Sequence, residues 1–338
     1  MDHISIEDSP LLRTIGNTPL IELKQLVEPA ADLHVYAKLE LLNPGGSAKD
    51  RPALRMLRHA WNQGFIGPGS VIIESSSGNM AISLAYICKH LGMRFISVID
   101  PRTTTSNIRT MKAYGAEISY VDEPDQQTGE FLQARLHRVR QLLHEIPGSY
   151  WPNQYANEHN YRSHAESTMP EIIATLKQVD YLFGAVSTCG TLLGCSTYVR
   201  DNQLPTKIIA VDAEGSVLFN GQKGPRRFPG IGAGIVPPFA EQNFFDAIER
   251  VSDIDMVRGC RLLVEKESIL AGASSGGVIS ATLRMAPQLP AGSVCVVLVH
   301  DRGERYLDTV YNDEWMEEQF GPAWALKAES SHQPLEDC

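Results

Sequence analysis

Residues 43–51 read Asn-Pro-Gly-Gly-Ser-Ala-Lys-Asp-Arg, a glycine-rich turn between two regular patterns. Residues 35–40 before it alternate like a β-strand, and residues 52–61 after it place apolar side chains at helical spacing. Lys49 is therefore predicted to lie where the turn enters a helix. The positive potential of a helix start lowers the pKa of a nearby ammonium, which makes Lys49 a candidate Schiff-base nucleophile. For the stretch taken alone, a surface lysine in a tight turn is the alternative.

Outward from this stretch, short apolar runs alternate with helical patterns. Strands are predicted at 71–73, 95–99, 118–121, 181–186, 208–211 and 294–299, and helices at 80–91, 106–114, 131–146, 170–177 and 256–266. Repeated strand and helix alternation predicts an α/β fold with mainly parallel sheets covered by helices. Pro147-Gly148 interrupts the alternation and is the candidate domain junction, and residues 221–238 are predicted to form a long ordered loop.

The composition excludes several classes of function. A net charge of −10 argues against a nucleic-acid partner, because binding phosphate backbones needs clustered lysine and arginine. The chain has no apolar run long enough to cross a bilayer and no apolar leader, so we expect a cytoplasmic protein without a membrane partner. The six cysteines are scattered without a C-x-x-C pair, which predicts no metal site. Cys338 ends a polar tail, and residues 325–338 are predicted to be disordered.

Three loops each follow a predicted strand and open a predicted helix, which places them at the ligand-binding edge of α/β sheets. Residues 75–79 (Ser-Ser-Ser-Gly-Asn) suit a carboxylate, and residues 187–191 (Ser-Thr-Cys-Gly-Thr) offer hydroxyl and N–H groups to a phosphate. Residues 271–277 (Ala-Gly-Ala-Ser-Ser-Gly-Gly) allow close backbone approach and offer Ser274. Each loop alone has a plainer explanation, as a helix cap for the first two and as helix packing for the third.

Together these features resemble the fold-type II pyridoxal-phosphate enzymes of the cysteine synthase and cystathionine β-synthase family, whose sheets and two domains resemble the tryptophan synthase β subunit. The matching motifs run in the same order along the chain: G-N-T-P-L at 16–20, N-P-G-G-S-x-K-D-R at 43–51, S-S-G-N at 76–79, G-I-G-A-G at 230–234 and G-E-R-Y-L at 303–307. The resemblance implies a smaller domain over residues 36–157, with the Schiff-base lysine and the carboxylate loop, and a larger cofactor domain over 1–35 plus 158–324.

The resemblance also implies roles for individual residues, with pyridoxal 5′-phosphate as the cofactor. Lys49 would form the Schiff base and later move the Cα proton, and Asn79 would bind the 3′-oxygen. The remaining cofactor contacts would come from Ser187, Thr188, Cys189, Gly190 and Thr191 at the phosphate and from Ser274 at the pyridine nitrogen, whereas Ser76, Ser77 and Gly78 would receive the substrate carboxylate. A neutral hydroxyl at the pyridine nitrogen favours β-elimination and replacement over transamination.

The chain departs from cysteine synthases at the phosphate loop, where Ser187 and Cys189 replace two glycines of the usual G-T-G-G-T. Residues 150–158 and 301–308 resemble a narrower subgroup of the family, the synthases of N-(2-amino-2-carboxyethyl)-L-glutamate in 2,3-diaminopropionate and siderophore biosynthesis. This implies O-phospho-L-serine and L-glutamate as substrates. The additional anionic groups of these substrates are predicted to be bound by Arg135, Tyr155 and Ser187. The alternative for Arg135 is a position on a solvated helix face.

Two other functions stay open at this point. A cysteine synthase would use O-acetylserine or O-phosphoserine with sulfide, and a regulator that binds pyridoxal phosphate without catalysis belongs to a different class. The retention of Lys49, Asn79 and Ser274 argues against the regulator. The family resemblance implies a homodimer whose smaller domain closes over the cofactor.

Overall fold

A computed structural model describes residues 4–27, 32–240, 244–322 and 324. The predicted tail at 325–338 lies outside the described residues. Within them, the strands are β1 Leu20–Glu22, β2 His34–Lys38, β3 Val71–Ser75, β4 Arg94–Ile99, β5 Glu117–Tyr120, β6 Tyr181–Ala185, β7 Lys207–Ala213, β8 Ala247–Val251 and β9 Val294–Leu298. The helices are α1 Asp50–Asn62, α2 Asn79–His90, α3 Thr105–Ala113, α4 Phe131–Glu145, α5 His159–Ser163, α6 Met169–Leu176, α7 Gly190–Asp201, α8 Asp253–Glu267, α9 Ala273–Met285 and α10 Asp313–Phe320.

The strands form two sheets, and the predicted α/β class is confirmed. The larger sheet has six strands in the order β1-β2-β9-β6-β7-β8, and the smaller has three in the order β3-β4-β5. β1 pairs with β2 in antiparallel fashion, and the other described pairs are parallel. The carboxyl ends of β3 and β6 lead into the Ser-rich loop and the phosphate loop respectively, which is where α/β folds place their ligands.

Helices cover both faces of each sheet because alternate side chains of a strand point in opposite directions. In β6, Leu182 packs in the apolar cluster with α6 and α7, whereas Phe183 packs in the cluster with α8 and α9. In β3, Ile72 packs with α1 and α2, whereas Val71 and Ile73 face α4. Strands buried on both faces explain the continuous apolar runs in the sequence.

The domain division stays a prediction, and the strand pairing bears on its first boundary. Residue 36 falls inside β2, and all five residues of β2 pair with β9 in the larger sheet. Ile6 and Leu12, assigned by sequence to the larger domain, pack in the same cluster as α1 and α2. A boundary after Lys38 fits the pairing better, because a strand cannot be divided between two sheets.

The loop predicted at residues 271–277 is shorter than expected, because α9 begins at Ala273. Two of its three glycines, Gly276 and Gly277, lie inside the first turns of the helix, where glycine is normally unfavourable. A Cβ on Gly276 would collide with the backbone oxygen of Met256, and one on Gly259 would collide with the backbone of Gly276. These glycines therefore allow α8 and α9 to pack at close range. As predicted, residues 221–237 form a long loop without helix or strand.

Candidate active site

Lys49 is the N-cap residue of α1, at the end of the glycine-rich turn. Gly46 has a φ of 80°, a conformation that favours glycine, and a Cβ on Gly45 would collide with Asp50. The backbone N–H of Gly45 donates to Oδ2 of Asp50 at 2.6 Å, so the first helical residue holds the turn folded against the helix start. The turn thus gives Lys49 a fixed position.

The amine of Lys49 has no hydrogen bond and no ion pair among the described residues. Burial lowers its pKa below the ordinary value, and the charges of Asp301 and Glu40 act in the opposite direction. The direction agrees with the expectation from the sequence, but the leading cause is burial rather than the helix start. A lysine with lowered pKa and no partner is suited to attack a carbonyl group.

Asn79 begins α2 and lies in the same cavity as Lys49. Its Nδ2 donates to Oδ2 of Asp301 at 2.8 Å, and its Oδ1 accepts a hydrogen bond from Arg305. With the amide oxygen occupied and one N–H used, the second N–H is the group left to bind a ligand oxygen. The sequence pointed to Asn79 itself but assigned no role to Asp301 or Arg305, although both lie in the quoted segment 301–308.

Residues 187–191 lead from the end of β6 into the first turn of α7 and form one wall of the cavity. Cys189 adopts a left-handed conformation with a φ of 65°, after which α7 starts at Gly190. The first N–H groups of a helix have no acceptor within it, so they remain available to an anion. Burial raises the pKa of the Cys189 thiol to about 12, which keeps it neutral and removes any repulsion toward a phosphate.

Ser274 and His300 complete the same cavity. Ser274 lies in the first turn of α9, and its hydroxyl makes no hydrogen bond with any described residue. His300 accepts a hydrogen bond at Nε2 from the backbone N–H of Ala185 at 2.9 Å. Burial, with the charge of Lys49, lowers the pKa of His300 to about 3, so the imidazole is neutral near pH 7. His300 was not predicted from the sequence, where nothing marked it.

The predicted substrate residues form a second group beside this cavity. Ser76, Ser77 and Gly78 lie between β3 and α2 but do not line the cavity with Lys49. Arg135 contacts this loop, since its Nη1 lies 3.4 Å from Oγ of Ser77. The hydroxyl of Tyr155 donates to the backbone oxygen of Ser75 at 3.4 Å. Ser187 lines the Lys49 cavity.

A buried carboxylate, Glu74, holds the segment of Tyr155 against this loop. It accepts hydrogen bonds from Nε1 of Trp151 at 3.0 Å and from the backbone N–H of Gln154 at 3.1 Å. Burial raises the pKa of Glu74 to about 7, and these donors act in the opposite direction. Sequence analysis did not identify Glu74, because a single carboxylate in an apolar strand carries no local signal of its partners.

The groups that line the cavity fit pyridoxal phosphate in their chemistry. The cavity places a lysine without a partner, an anion-binding helix start, an amide and a free hydroxyl around one space, which are groups suited to the aldehyde, phosphate, 3′-oxygen and ring nitrogen of that cofactor. Within the described residues, no group of His, Cys, Asp or Glu side chains could hold a metal ion. No helix of the described chain is long and apolar enough to span a membrane.

Comparisons with known proteins agree with this chemistry. A sequence model of the family described as pyridoxal-phosphate dependent enzyme matches residues 11–301. The chain is 45% identical over 303 residues to N-(2-amino-2-carboxyethyl)-L-glutamate synthase from Ralstonia nicotianae, and the match covers 89% of each chain. That relative belongs to the subgroup indicated by residues 150–158 and 301–308.

Two crystal structures show the same fold. A hydrogen sulfide-producing enzyme from Fusobacterium nucleatum matches with a TM-score of 0.82 at 32% identity, over 88% of this chain and 99% of that one. The O-acetylserine dependent cystathionine beta-synthase from Helicobacter pylori matches with a TM-score of 0.81 at 30% identity, over 92% and 100%. The reading as a non-catalytic regulator is thereby set aside. The chain belongs to the fold-type II pyridoxal-phosphate dependent enzymes and is an enzyme of the β-replacement class.

Proposed function

We propose that this enzyme joins L-glutamate to the β-carbon of O-phospho-L-serine. The Cβ–O bond of phosphoserine breaks and phosphate leaves with the bonding electrons, while the amine nitrogen of glutamate forms a bond to Cβ. The proton that the glutamate ammonium loses balances the proton that phosphate gains. The product is N-(2-amino-2-carboxyethyl)-L-glutamate.

The proposal rests mainly on one observation. Beside the cavity suited to β-replacement, the loop at residues 76–78 contacts the cationic side chain of Arg135. Arg135 is almost fully buried beside Ser77, and its Nε lies 3.5 Å from Oδ2 of Asp100. A sulfide acceptor needs no such cation, whereas two substrates that carry extra phosphate and carboxylate groups do. The 45% identical relative is named for the same product.

Bound pyridoxal phosphate would supply the electron sink that makes loss of phosphate from Cβ feasible. Lys49 would hold the cofactor and then move the Cα proton, for which its lowered pKa is suited. Ser274 would offer a neutral hydroxyl to the ring nitrogen, and Asn79 an N–H to the 3′-oxygen. The N–H groups at the start of α7 would hold the cofactor phosphate.

The substrate contacts follow from the second group of residues. Ser76, Ser77 and Gly78 would receive the α-carboxylate, and Arg135 would contact the substrate beside Ser77. Tyr155 would contact the substrate through its hydroxyl, which burial keeps neutral by raising its pKa. Ser187, which lines the same cavity as Lys49, would offer the substrate a further hydrogen bond.

We also propose the wider setting that the resemblance implies. The enzyme would act as a homodimer in the cytoplasm, and its smaller domain, carrying β3 to β5, would close over the cofactor. The product would feed 2,3-diaminopropionate and siderophore biosynthesis.

A cysteine synthase remains the second candidate, because the structural relatives include an O-acetylserine dependent enzyme and a hydrogen sulfide-producing enzyme. The two candidates differ in the acceptor. Cofactor-loaded enzyme is incubated with O-phospho-L-serine and equal concentrations of glutamate and sulfide in separate reactions, and product masses are measured. We expect the N-alkylated glutamate and free phosphate. Cysteine formed from sulfide, with no glutamate adduct, would replace the proposal by the second candidate.

The role of Arg135 needs its own test. Arg135→Ala should raise the KM for at least one of the two substrates about tenfold or more, because a charge-assisted hydrogen bond is lost. Arg138, on the same helix and paired with Glu145 at 2.9 Å, provides the matched control. An unchanged KM for both substrates in Arg135→Ala would exclude Arg135 from substrate binding.

A further inference from the structure

Arg226 lies in the long loop 221–237, which also contributes Gly230 to the cofactor cavity. Its side chain runs over the G-I-G-A-G motif: a Cβ on Gly232 would lie 3.2 Å from its Cδ, and one on Gly234 would lie 3.3 Å from its Nη2. The backbone N–H of Gly232 donates to the oxygen of Val186 at 2.7 Å. Because Val186 precedes Ser187, the loop fixes Arg226 next to the phosphate-binding wall.

Around Arg226, charged side chains from both sheet regions meet. We call them the cleft-mouth cluster: Arg102, Arg135, Lys223, Arg226, Asp100 and Glu130. Asp100 lies 3.1 Å from Arg102 and 3.5 Å from Arg135, and Glu130 pairs with Lys223. The cluster therefore holds four cations and two carboxylates, on a chain whose net charge is −10. These six groups carry a net positive charge, although the carboxylate of Asp212 also acts on Arg226.

Arg226 is the cation of this cluster that lacks a partner. It makes no hydrogen bond and no ion pair within 4 Å among the described residues, although its side chain is partly buried. Burial lowers its pKa, and the charge of Arg102 adds to this effect against the opposing charges of Asp212 and Glu130. A partly desolvated guanidinium without a partner is unfavourable, and a bound anion would remove that cost.

We infer that Arg226 binds the distal carboxylate of a dicarboxylic amino acid that serves as the acceptor. The inference rests on the proposed function and adds to it a binding residue for the second substrate. Arg135 contacts Ser77 of the carboxylate loop, whereas Arg226 lies against Gly232, whose N–H donates to Val186 just before the phosphate loop. A planar guanidinium binds a carboxylate through two parallel hydrogen bonds, which an amide cannot reproduce. Arg226 thereby selects glutamate over glutamine.

The test compares glutamate with glutamine as acceptors for O-phospho-L-serine in cofactor-loaded wild-type, R226Q, R226K and R227Q enzymes. The measured quantity is the ratio of the two kcat/KM values, which does not depend on the fraction of folded protein. Arg227 is a matched control, because it is the next residue and its charge already has a partner, Asp253, at 3.1 Å. The kcat/KM for O-phospho-L-serine is measured in parallel.

We expect R226Q to lower the preference for glutamate about ten- to a hundredfold, the loss that follows from removing charge-assisted hydrogen bonds. R226K, which keeps the charge but not the planar guanidinium, should show an intermediate preference for glutamate. The preference of R227Q should stay within about twofold of wild type. An unchanged preference in R226Q would overturn the inference, and so would a loss confined to O-phospho-L-serine, which would assign Arg226 to the phosphate. If wild-type enzyme formed no glutamate adduct, the proposed function itself would fail, a result distinct from both.

Discussion

At the scale of single residues, the site depends on keeping a few polar groups without partners. Lys49 and Ser274 have hydrogen-bonding capacity that no described residue uses, and both lie in one cavity. Folding leaves such groups unpaired only at a cost. That cost is recovered when a ligand binds, and we therefore propose that the cofactor binds at these unpaired groups.

The first prediction concerns Lys49. Lys49→Ala should abolish the covalent attachment of pyridoxal phosphate, because no other amine lines the described cavity. Turnover should fall by at least about a thousandfold, as expected for loss of an activated nucleophile and base. Reduction with borohydride followed by mass measurement of the intact protein tests the attachment, with Lys112→Ala as a surface control. A variant that keeps full turnover contradicts the assignment.

A second prediction at this scale follows from the low pKa of His300. Its folded pKa of about 3 lies below the ordinary value of 6.5, so protons bind the unfolded chain more readily. The stability that the neutral imidazole provides is complete above pH 6.5 and is lost as pH falls from there toward 3. Each pH unit in that window should lower the free energy of unfolding by up to about 1.4 kcal/mol.

Urea unfolding at pH 7, 6 and 5 measures this effect in wild type and in His300→Gln, whose side-chain oxygen can accept the N–H of Ala185 without titrating. The variant should show a smaller loss between pH 6 and 5 than wild type. Equal slopes in the two proteins would show that His300 is not buried as a neutral group. Both proteins should still lose some stability as the pH falls, because His164 is also buried with a lowered pKa.

At the scale of elements, the packing of α8 against α9 determines where Ser274 lies. The two helices approach so closely that Gly259 and Gly276 face each other backbone to backbone. Ser274 stands two residues before Gly276, so any shift of α9 moves the hydroxyl that faces the cavity. The glycine pair of α8 and α9 thereby controls the position of Ser274, a proposed cofactor contact.

Gly276→Ala should accordingly destabilise the protein by about 1–3 kcal/mol, the usual cost of overpacking a core. It should also weaken pyridoxal phosphate binding, because α9 must move away from α8. Thermal unfolding and cofactor titration by absorbance measure the two effects. Gly67→Ala is the control, since nothing lies within 4 Å of a Cβ there and its backbone is unstrained. A Gly276→Ala protein equal to that control would contradict the packing argument.

At the scale of the whole molecule, a buried ionic network joins four distant parts of the chain. Arg51 lies 2.7 Å from Glu40 and 2.6 Å from Glu171, and Lys38 lies 2.6 Å from Glu171. Thr18 donates to Glu40 at 2.8 Å, which brings the G-N-T-P-L motif into the network. Although burial alone would raise it, the charge of Arg51 keeps the pKa of Glu40 below its ordinary value. The network anchors the start of α1, and thus Lys49, to β2 and α6.

Arg51→Met should cost about 3–5 kcal/mol of unfolding free energy, because the fully buried Glu40 loses the cation paired with it and the partly buried Glu171 keeps only Lys38. Arg55→Met is a matched control on the next turn of α1. Its pair with Glu166, also at 2.6 Å, is partly exposed and should be worth no more than about 1 kcal/mol. Urea unfolding at pH 7 compares them. Equal losses would show that the buried network adds nothing beyond a surface pair.

Local signals were enough for much of this protein. The apolar runs and the glycine punctuation predicted the α/β class and most strands. The motifs at 43–51, 76–79 and 187–191 located Lys49, Asn79 and the phosphate loop, because backbone conformation and capping depend on neighbours in sequence. The high content of Gly and Pro at 221–238 also predicted the long loop there.

The tertiary structure alone decided what depends on distant partners. It brought Asp301 and Arg305 to Asn79, placed His300 on the cavity wall and set Arg226 beside Gly232, none of which any local pattern indicates. It also began α9 at Ala273 despite two glycines, because the close approach of α8 outweighs their low helix propensity. Burial and pairing depend on residues that are far apart in the chain. Burial is the main cause of the lowered pKa of Lys49, which the sequence analysis had attributed to the helix start.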